Sequence, residues 1–329
     1  MKRIQINSIF CFCYYIGVFR LFYFLTRNRQ RIITFHHVIP DRYFDNSLCL
    51  GVSCTESVFD YQLKLIAEKF HFTTKVQKKT SCMITFDDGY NNNYSIALPI
   101  LEKYKVKAIF FITYNLIINN KPLWIDLVLK WCSYVPNGSY KLDNIEIEAS
   151  DTNRMSLYNY IINQIKKEYS SKKQIIQLLN NIYSFDKLEL NPVLDDLRFK
   201  ALSISQLDQI KAGGHLVASH TIDHDILSLL EKEQLEQEID KSRNLSLTFY
   251  NCNYFAYPFG GIDEVSKDVF SMYDNSNYDF CFVNYWNFYT DFNKIRVERL
   301  SLPNTKNKYV IDAYLSGCYS FFKKKIKHV

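Results

Sequence analysis

The chain has 329 residues, 47% of them hydrophobic, enough for one large barrel-like domain or two small ones and ordinary for a globular protein. Its net charge of +6 gathers at the two ends, and no basic stripe interleaved with aromatics crosses the middle, which argues against nucleic acid as a partner. Nine cysteines, an odd count without a C-x-x-C pair, argue against a cysteine zinc site and for a reducing compartment.

Ile4 to Leu25 is apolar and aromatic, follows Lys2 and Arg3, and is interrupted by Gln5, Asn7, Ser8 and Arg20. A cleaved signal peptide lacks a small-residue cleavage site here. A spanning anchor needs about 20 apolar residues. An interfacial helix with Arg20, Arg27, Arg29 and Arg31 near lipid headgroups is the favoured reading, with the anchor as its rival. The expected location is therefore the cytoplasm or the inner membrane, on its cytoplasmic face.

Arg31 to Val38 reads as a strand ending in His36 and His37, and residues 39–54 as a loop. Thr55 to Phe70 reads as a helix with Phe59, Leu63 and Ile66 on its inner face. Cys82 to Phe86 is a buried strand, Tyr94 to Tyr104 a helix interrupted by Pro99, and Lys107 to Thr113 a continuous apolar strand of the parallel kind. Trp124 and Asp126 open a helix, and residues 140–147 alternate around a turn like a hairpin. Polar helices follow near 156–168 and 172–183. Ser205 to Ala212 is a short helix stopped by Gly213 and Gly214. Strands at His215–Ala218, Asn253–Tyr257, Asp279–Val283 and Ile295–Leu300, with an amphipathic helix at Glu231–Leu247, complete the pattern. Residues from 309 onward form a helix with a basic end. Alternating strands and helices point to an α/β barrel.

Two strand ends carry the chemistry. Cys82–Phe86 stops at Asp87, Asp88 and Gly89. Paired carboxylates in one low-dielectric place repel unless a cation or proton separates them, which suits a metal hydrolase; the plain alternative is a hairpin turn. The strand at Ala218 runs into Ser219-His220-Thr221-Ile222-Asp223-His224. Two imidazoles four residues apart share a face on a helical turn. Two His and one carboxylate are a common ligand set for a divalent ion.

TFDDGY, SHTIDH and the later Phe255-Ala256-Tyr257-Pro258-Phe259-Gly260 resemble the motifs of the polysaccharide deacetylase family, carbohydrate esterase family 4. The resemblance implies a deformed (β/α) barrel over residues 31–303, with a helical and hairpin insertion at about 120–202. It leaves an apolar, basic helix over 1–30 that contacts a membrane surface, and a basic helix over 304–329. It further implies a hydrolase that removes acetyl groups from N-acetylated sugars of a polysaccharide or glycolipid; O-acetyl esterase and inactive glycan-binding homologue are the alternatives. Asp88, His220 and His224 would bind the metal, zinc by default, and Asp87 would be the general base. The backbone N–H of Phe259 would hold the oxyanion, its ring having a core role as the alternative.

Two departures from the family pattern stand out. Ala256 occupies the place of an Arg that pairs with the base; Arg299 could supply that charge, with a surface ion pair as its alternative fate. The late Leu-x-x-His motif is absent, the only late His being His328. Some members carry that motif at the other end of the barrel, which makes His36 the candidate general acid and its neighbour His37 the alternative, expected to be solvated or in the loop.

Overall fold

The computed structural model describes residues 2–44, 53–142, 145–167, 172–261, 264–287 and 292–326. The apolar runs become twelve strands in it: β1 (Arg31–Phe35), β2 (His37–Ile39), β3 (Ser53–Thr55), β4 (Cys82–Phe86), β5 (Ala108–Ile112), β6 (Gly138–Leu142), β7 (Ile145–Ala149), β8 (Leu216–Ser219), β9 (Tyr254–Ala256), β10 (Phe280–Val283), β11 (Val297–Glu298) and β12 (Leu300–Ser301). Eight of them form one parallel sheet in the order β11-β10-β9-β8-β5-β4-β1-β12. The last run all but closes it into a barrel. Val297 and Glu298 pair with β10, whereas Leu300 and Ser301 pair with β1. Arg299 sits at the join.

Period-two alternation sorts the strand side chains into two sets. Ile32, Met83, Ile109, Phe111, Ala218, Ala256, Phe282 and Val297 cluster together inside the barrel. Ile33, Phe35, Ile84, Phe86, Phe110 and Ile112 pack outward on Phe59, Leu63 and Ile66 of the helix Glu56–Ala67. Both faces are therefore apolar, as a sheet flanked by helices requires.

The structure departs locally from the sequence reading. The first predicted strand is split: β1 belongs to the barrel, and β2 pairs with β3 in a separate two-stranded sheet. The helix interrupted at Pro99 is a π-turn, Asn93–Ala97, running into Leu98–Lys103. A further helix, Pro192–Phe199, is capped by Asn191. The N-terminal apolar stretch is two helices, Lys2–Tyr15 and Val18–Leu25, separated at Gly17, whose φ of 81° favours glycine. The C-terminal helix is likewise divided at Gly317 into Lys308–Ser316 and Cys318–Ile326. Cys49, the hairpin turn at Asp143–Asn144 and His328 lie outside the described residues.

The two ends of the chain pack together beside the start of β1. Phe19 and Phe22 are buried with Ala313 and Cys318. The Arg31 guanidinium donates to the carbonyls of Leu315 and Thr26 at 2.7 and 2.9 Å.

Residues 124–199 build a second apolar core from the helices Trp124–Tyr134, Arg154–Lys167 and Lys172–Ile182 and the antiparallel hairpin β6–β7. Ile226, Leu229 and Phe259 of the barrel loops pack against this core. The insertion therefore rests on the mouth of the barrel, at the carboxyl ends of the strands.

Candidate active site

The alternation that places Met83 and Ile32 inside the barrel carries two residues further along each strand, and then two more. On that count Asp87 and His36 face the interior, and Arg299 does so two residues beyond Val297. The contacts agree. Arg299 is fully buried and grips Asp87 with two parallel hydrogen bonds, Nη1 to Oδ1 at 2.6 Å and Nη2 to Oδ2 at 2.7 Å. Its Nε donates to the Val283 carbonyl at 3.2 Å, and Nη1 also reaches the Thr85 hydroxyl at 3.3 Å. Arg299 thus forms no surface ion pair. Such a planar fork holds a carboxylate in charge and in orientation. Burial pushes the Asp87 pKa up, but the charges of Arg299, His220 and His36 outweigh it and hold the carboxyl below its usual range.

Asp88 follows Asp87 yet turns to the same site. Its φ of 77° is a left-handed value that breaks strand alternation, and Gly89 continues the turn at φ 100°. The φ of Gly89 favours glycine, and a Cβ there would add a tight 3.0 Å approach to Ile117 Cδ1. The Asp88 and Gly89 carbonyls are tied by Thr113 N–H and Leu202 N–H at 3.0 and 2.9 Å.

His220 and His224 converge without the expected helical turn. Residues 220–226 are a loop in which Thr221 and His224 adopt φ values of 72° and 55°. His220 Nε2 and His224 Nε2 lie 3.4 and 3.2 Å from Asp88 Oδ1. That oxygen is buried and forms no hydrogen bond among the described residues. Burial disfavours the charge on Asp88, but the two imidazoles hold its pKa well below the usual carboxylate range. The Ala256 carbonyl sits 2.8 Å from His220 Nδ1, and since a carbonyl only accepts, Nδ1 carries the proton and Nε2 keeps its lone pair. One ligand atom from each of Asp88, His220 and His224 falls within 4.8 Å of the others, all three residues being buried. An orphaned carboxylate oxygen and two imidazole nitrogens meeting at one point, the His220 nitrogen with its lone pair free, fit a divalent ion.

His36 and His37 separate cleanly. His36 Nε2 is 3.9 Å from Asp87 Oδ2, and its side chain is 18% exposed, so it reaches the mouth of the site. His37 is neither solvated nor in the loop, since it opens β2. It faces outward, is 2% exposed, stacks on Tyr90 with ring centroids 4.1 Å apart and pairs through Nδ1 with Asn92. Burial and the charge of Arg198 lower its pKa well below the ordinary histidine value.

Phe259 has a left-handed φ of 59°, and its N–H donates to none of the described residues. Its ring meets His224 at 5.2 Å and Trp124 at 5.8 Å between centroids, with Lys166 Nζ 4.6 Å from its own centroid. A Cβ at Gly260 would lie 2.7 Å from the Asn284 nitrogen, so the chain here must be glycine to pass that close. Four non-glycine residues with positive φ, Asp88, Thr221, His224 and Phe259, thus crowd around one point, a pattern of backbone strain concentrated at functional sites.

The insertion contributes more than the sequence reading assigned to it. The Trp124 indole donates to the His224 carbonyl at 2.9 Å. Asp126 accepts the Tyr90 hydroxyl on both oxygens, at 2.9 and 3.0 Å. Burial, and then the charge of Asp88, push the Asp126 pKa up to about 8. Tryptophan and aspartate at the start of a helix are readable only as a helix opening; no local pattern marks Trp124 as a neighbour of His224 or Asp126 as a neighbour of Tyr90.

The comparisons with known proteins follow the same line. The polysaccharide deacetylase family profile matches residues 74–276, more than half of the chain. No curated protein matches by sequence. Among solved structures, the deacetylase PplD of Streptococcus pyogenes, in complex with acetate, superposes with a TM-score of 0.52 at 15% identity, over 86% of this chain and 97% of that one. IcaB from Ammonifex degensii gives 0.52 at 14% identity, over 86% and 96%. The Bacillus cereus polysaccharide deacetylase BC0361 gives 0.52 at 15% identity, over 87% and 68%. At these identities the likeness is one of fold, and that fold is the deformed barrel.

Proposed function

Since the chain belongs to the polysaccharide deacetylase family, we propose that it is a metal-dependent hydrolase removing acetyl groups from N-acetylated sugars of a polysaccharide or glycolipid. The observation that carries this reading is the Arg299–Asp87 fork set beside the buried Asp88, His220 and His224. Asp88 and the two imidazoles would hold the ion, with zinc the first expectation from the donor set. When bound, the ion supplies Lewis acidity toward the amide carbonyl and makes water easier to deprotonate.

The chain's own groups would do the rest. Asp87, kept ionised by Arg299, takes the proton from the attacking water at its carboxylate oxygen. The Phe259 N–H donates to the oxyanion of the tetrahedral adduct. His36, beside Asp87, gives a proton to the leaving amine nitrogen. A catalytically inactive, glycan-binding role fits less well, because Arg299 forks Asp87 although no arginine stands at position 256. Acetate release from N-acetylated against O-acetylated sugars separates amidase from esterase.

Metal dependence is tested directly. Chelation should abolish acetate release, and zinc or cobalt should restore it. Asp88→Ala, His220→Ala and His224→Ala should each lose stoichiometric metal; full occupancy in all three variants would overturn the ligand assignment.

A membrane surface is proposed as the second partner. No described helix is long and apolar enough to span a bilayer by itself; Ser8–Tyr15 and Val18–Leu25 pass that test only as a pair bent by 74°. That pair exposes Ile9, Phe12, Ile16, Leu21, Phe24 and Leu25, each more than half accessible. The first 40 residues contain no acidic residue, nor does the chain after Asp312, while both segments carry several Lys or Arg. Apolar side chains ringed by cations suit an anionic bilayer surface, on the cytoplasmic face in this proposal. The Phe12→Glu/Phe24→Glu double variant should lower co-sedimentation with phosphatidylglycerol vesicles by at least about 100-fold, from the burial worth of two phenylalanines. Undiminished sedimentation would remove this surface from the proposal.

A further inference from the structure

The two imidazoles of the proposed metal centre are held by different means. His220 is oriented through its ring, Nδ1 donating to the Ala256 carbonyl. His224 has no such partner: its Nδ1 is buried without a hydrogen bond among the described residues. A ligating histidine usually donates its second ring N–H to a fixed acceptor, which sets the ring's direction. His224 must be aimed through its backbone instead, and that backbone is strained, at φ 55°.

Three contacts hold it there. The His224 N–H donates to the Thr221 hydroxyl at 2.9 Å. The His224 carbonyl accepts the Trp124 indole N–H at 2.9 Å. The Phe259 ring lies between Trp124 and the His224 imidazole, touching both. Trp124 is 5% exposed and opens the first helix of the insertion, so the brace comes from outside the barrel. A single indole thus fixes the carbonyl of one ligand and backs the aromatic ring against which that ligand's imidazole rests.

We propose that Trp124 is a positioning residue of the metal centre, aiming His224 in place of the missing ring hydrogen bond, so that the insertion completes the affinity of the barrel's metal site. This deepens the metal-hydrolase reading above and rests on it. The isolated loop, with Thr221 and His224 both left-handed, would relax to commoner backbone conformations and carry the imidazole away from Asp88.

The test uses the full chain stripped of metal, with zinc affinity measured by competition against a chromophoric chelator and unfolding temperature measured on the apoprotein. Trp124→Phe keeps an aromatic ring and deletes the N–H. Trp131→Phe is its matched control. Trp131 is fully buried in the same helix and donates its indole N–H to the Tyr183 carbonyl at 3.1 Å, within the insertion. The expected result is a loss of zinc affinity of about 10- to 100-fold in Trp124→Phe, the usual effect of removing an outer-shell partner. Its apo unfolding temperature should stay near that of Trp131→Phe, and Trp131→Phe should bind zinc as the parent does. The zinc concentration needed for half-maximal acetate release should rise by the same factor as the affinity falls.

Parental zinc affinity in Trp124→Phe overturns the inference, as does an equal loss in Trp131→Phe. So does an apo Trp124→Phe protein that unfolds as readily as Trp124→Ala, since the residue would then be core packing alone. Failure of the parent itself to take up one zinc per chain would instead sink the metal reading beneath it.

Discussion

Arg299→Met should destabilise the protein by about 3–5 kcal/mol in chemical denaturation, the usual cost of leaving one member of a buried ion pair uncompensated. Arg299 is fully buried and Asp87 is 2% exposed, so solvent does not replace the lost partner. The Asp87 pKa lies below its usual value in the folded chain. A depressed carboxylate stabilises the fold above its unfolded pKa, and that share is lost as pH falls through the folded value. Without the guanidinium, burial is opposed only by the weaker influence of His220 and His36, and the pKa rises. The acid limb of kcat/KM should therefore move to higher pH, because the base must be ionised to work. Arg299→Lys should recover part of the stability but not the paired geometry. Asp87→Asn/Arg299→Met should recover stability while remaining inactive. A loss below about 1 kcal/mol in Arg299→Met, with an unmoved pH profile, would show that the fork does not govern Asp87.

His36→Ala should cut turnover on an N-acetylated sugar by about 10²–10⁴-fold, the range for a positioned general acid. Metal content and fold should persist, because His36 reaches the mouth of the site and its side chain is partly exposed. An aryl acetate has a leaving group that departs without protonation, so the same variant should lose far less on it. His37→Ala should behave in the opposite way. It removes a ring buried against Tyr90 and a hydrogen bond to Asn92, so the unfolding temperature should drop while folded protein keeps its chemistry. Equal losses of His36→Ala on both substrates would remove His36 from the proton transfer to the amine.

Much of this could be read from the chain before folding. Continuous apolar runs such as Cys82–Phe86 and Ala108–Ile112 are strands because a sheet flanked by helices buries both faces. The hairpin at 138–149 and the stop at Gly213–Gly214 are local turn chemistry. Asp87, Asp88, His220 and His224 stood out because carboxylates and imidazoles at strand ends are costly without a function. The choice of His36 over His37 was also latent there, since adjacent residues on a strand point to opposite faces; it needed only the knowledge of which face was the interior.

Tertiary structure decided what local patterns cannot carry. Asp87 and Arg299 are 212 residues apart, and a lone arginine in a sequence is most often a surface cation. It becomes the partner of Asp87 because Val297–Ser301 bridges β10 and β1, and the near-closure of the barrel turns its side chain inward. Thr221 and His224 come together through left-handed backbone that a helical spacing argument cannot foresee. Trp124 reaches His224 only because a separately packed insertion lies on the barrel mouth. Periodicity is set by each residue's own neighbours along the chain, whereas the Arg299–Asp87 and Trp124–His224 contacts arise only when distant strands and helices share one volume.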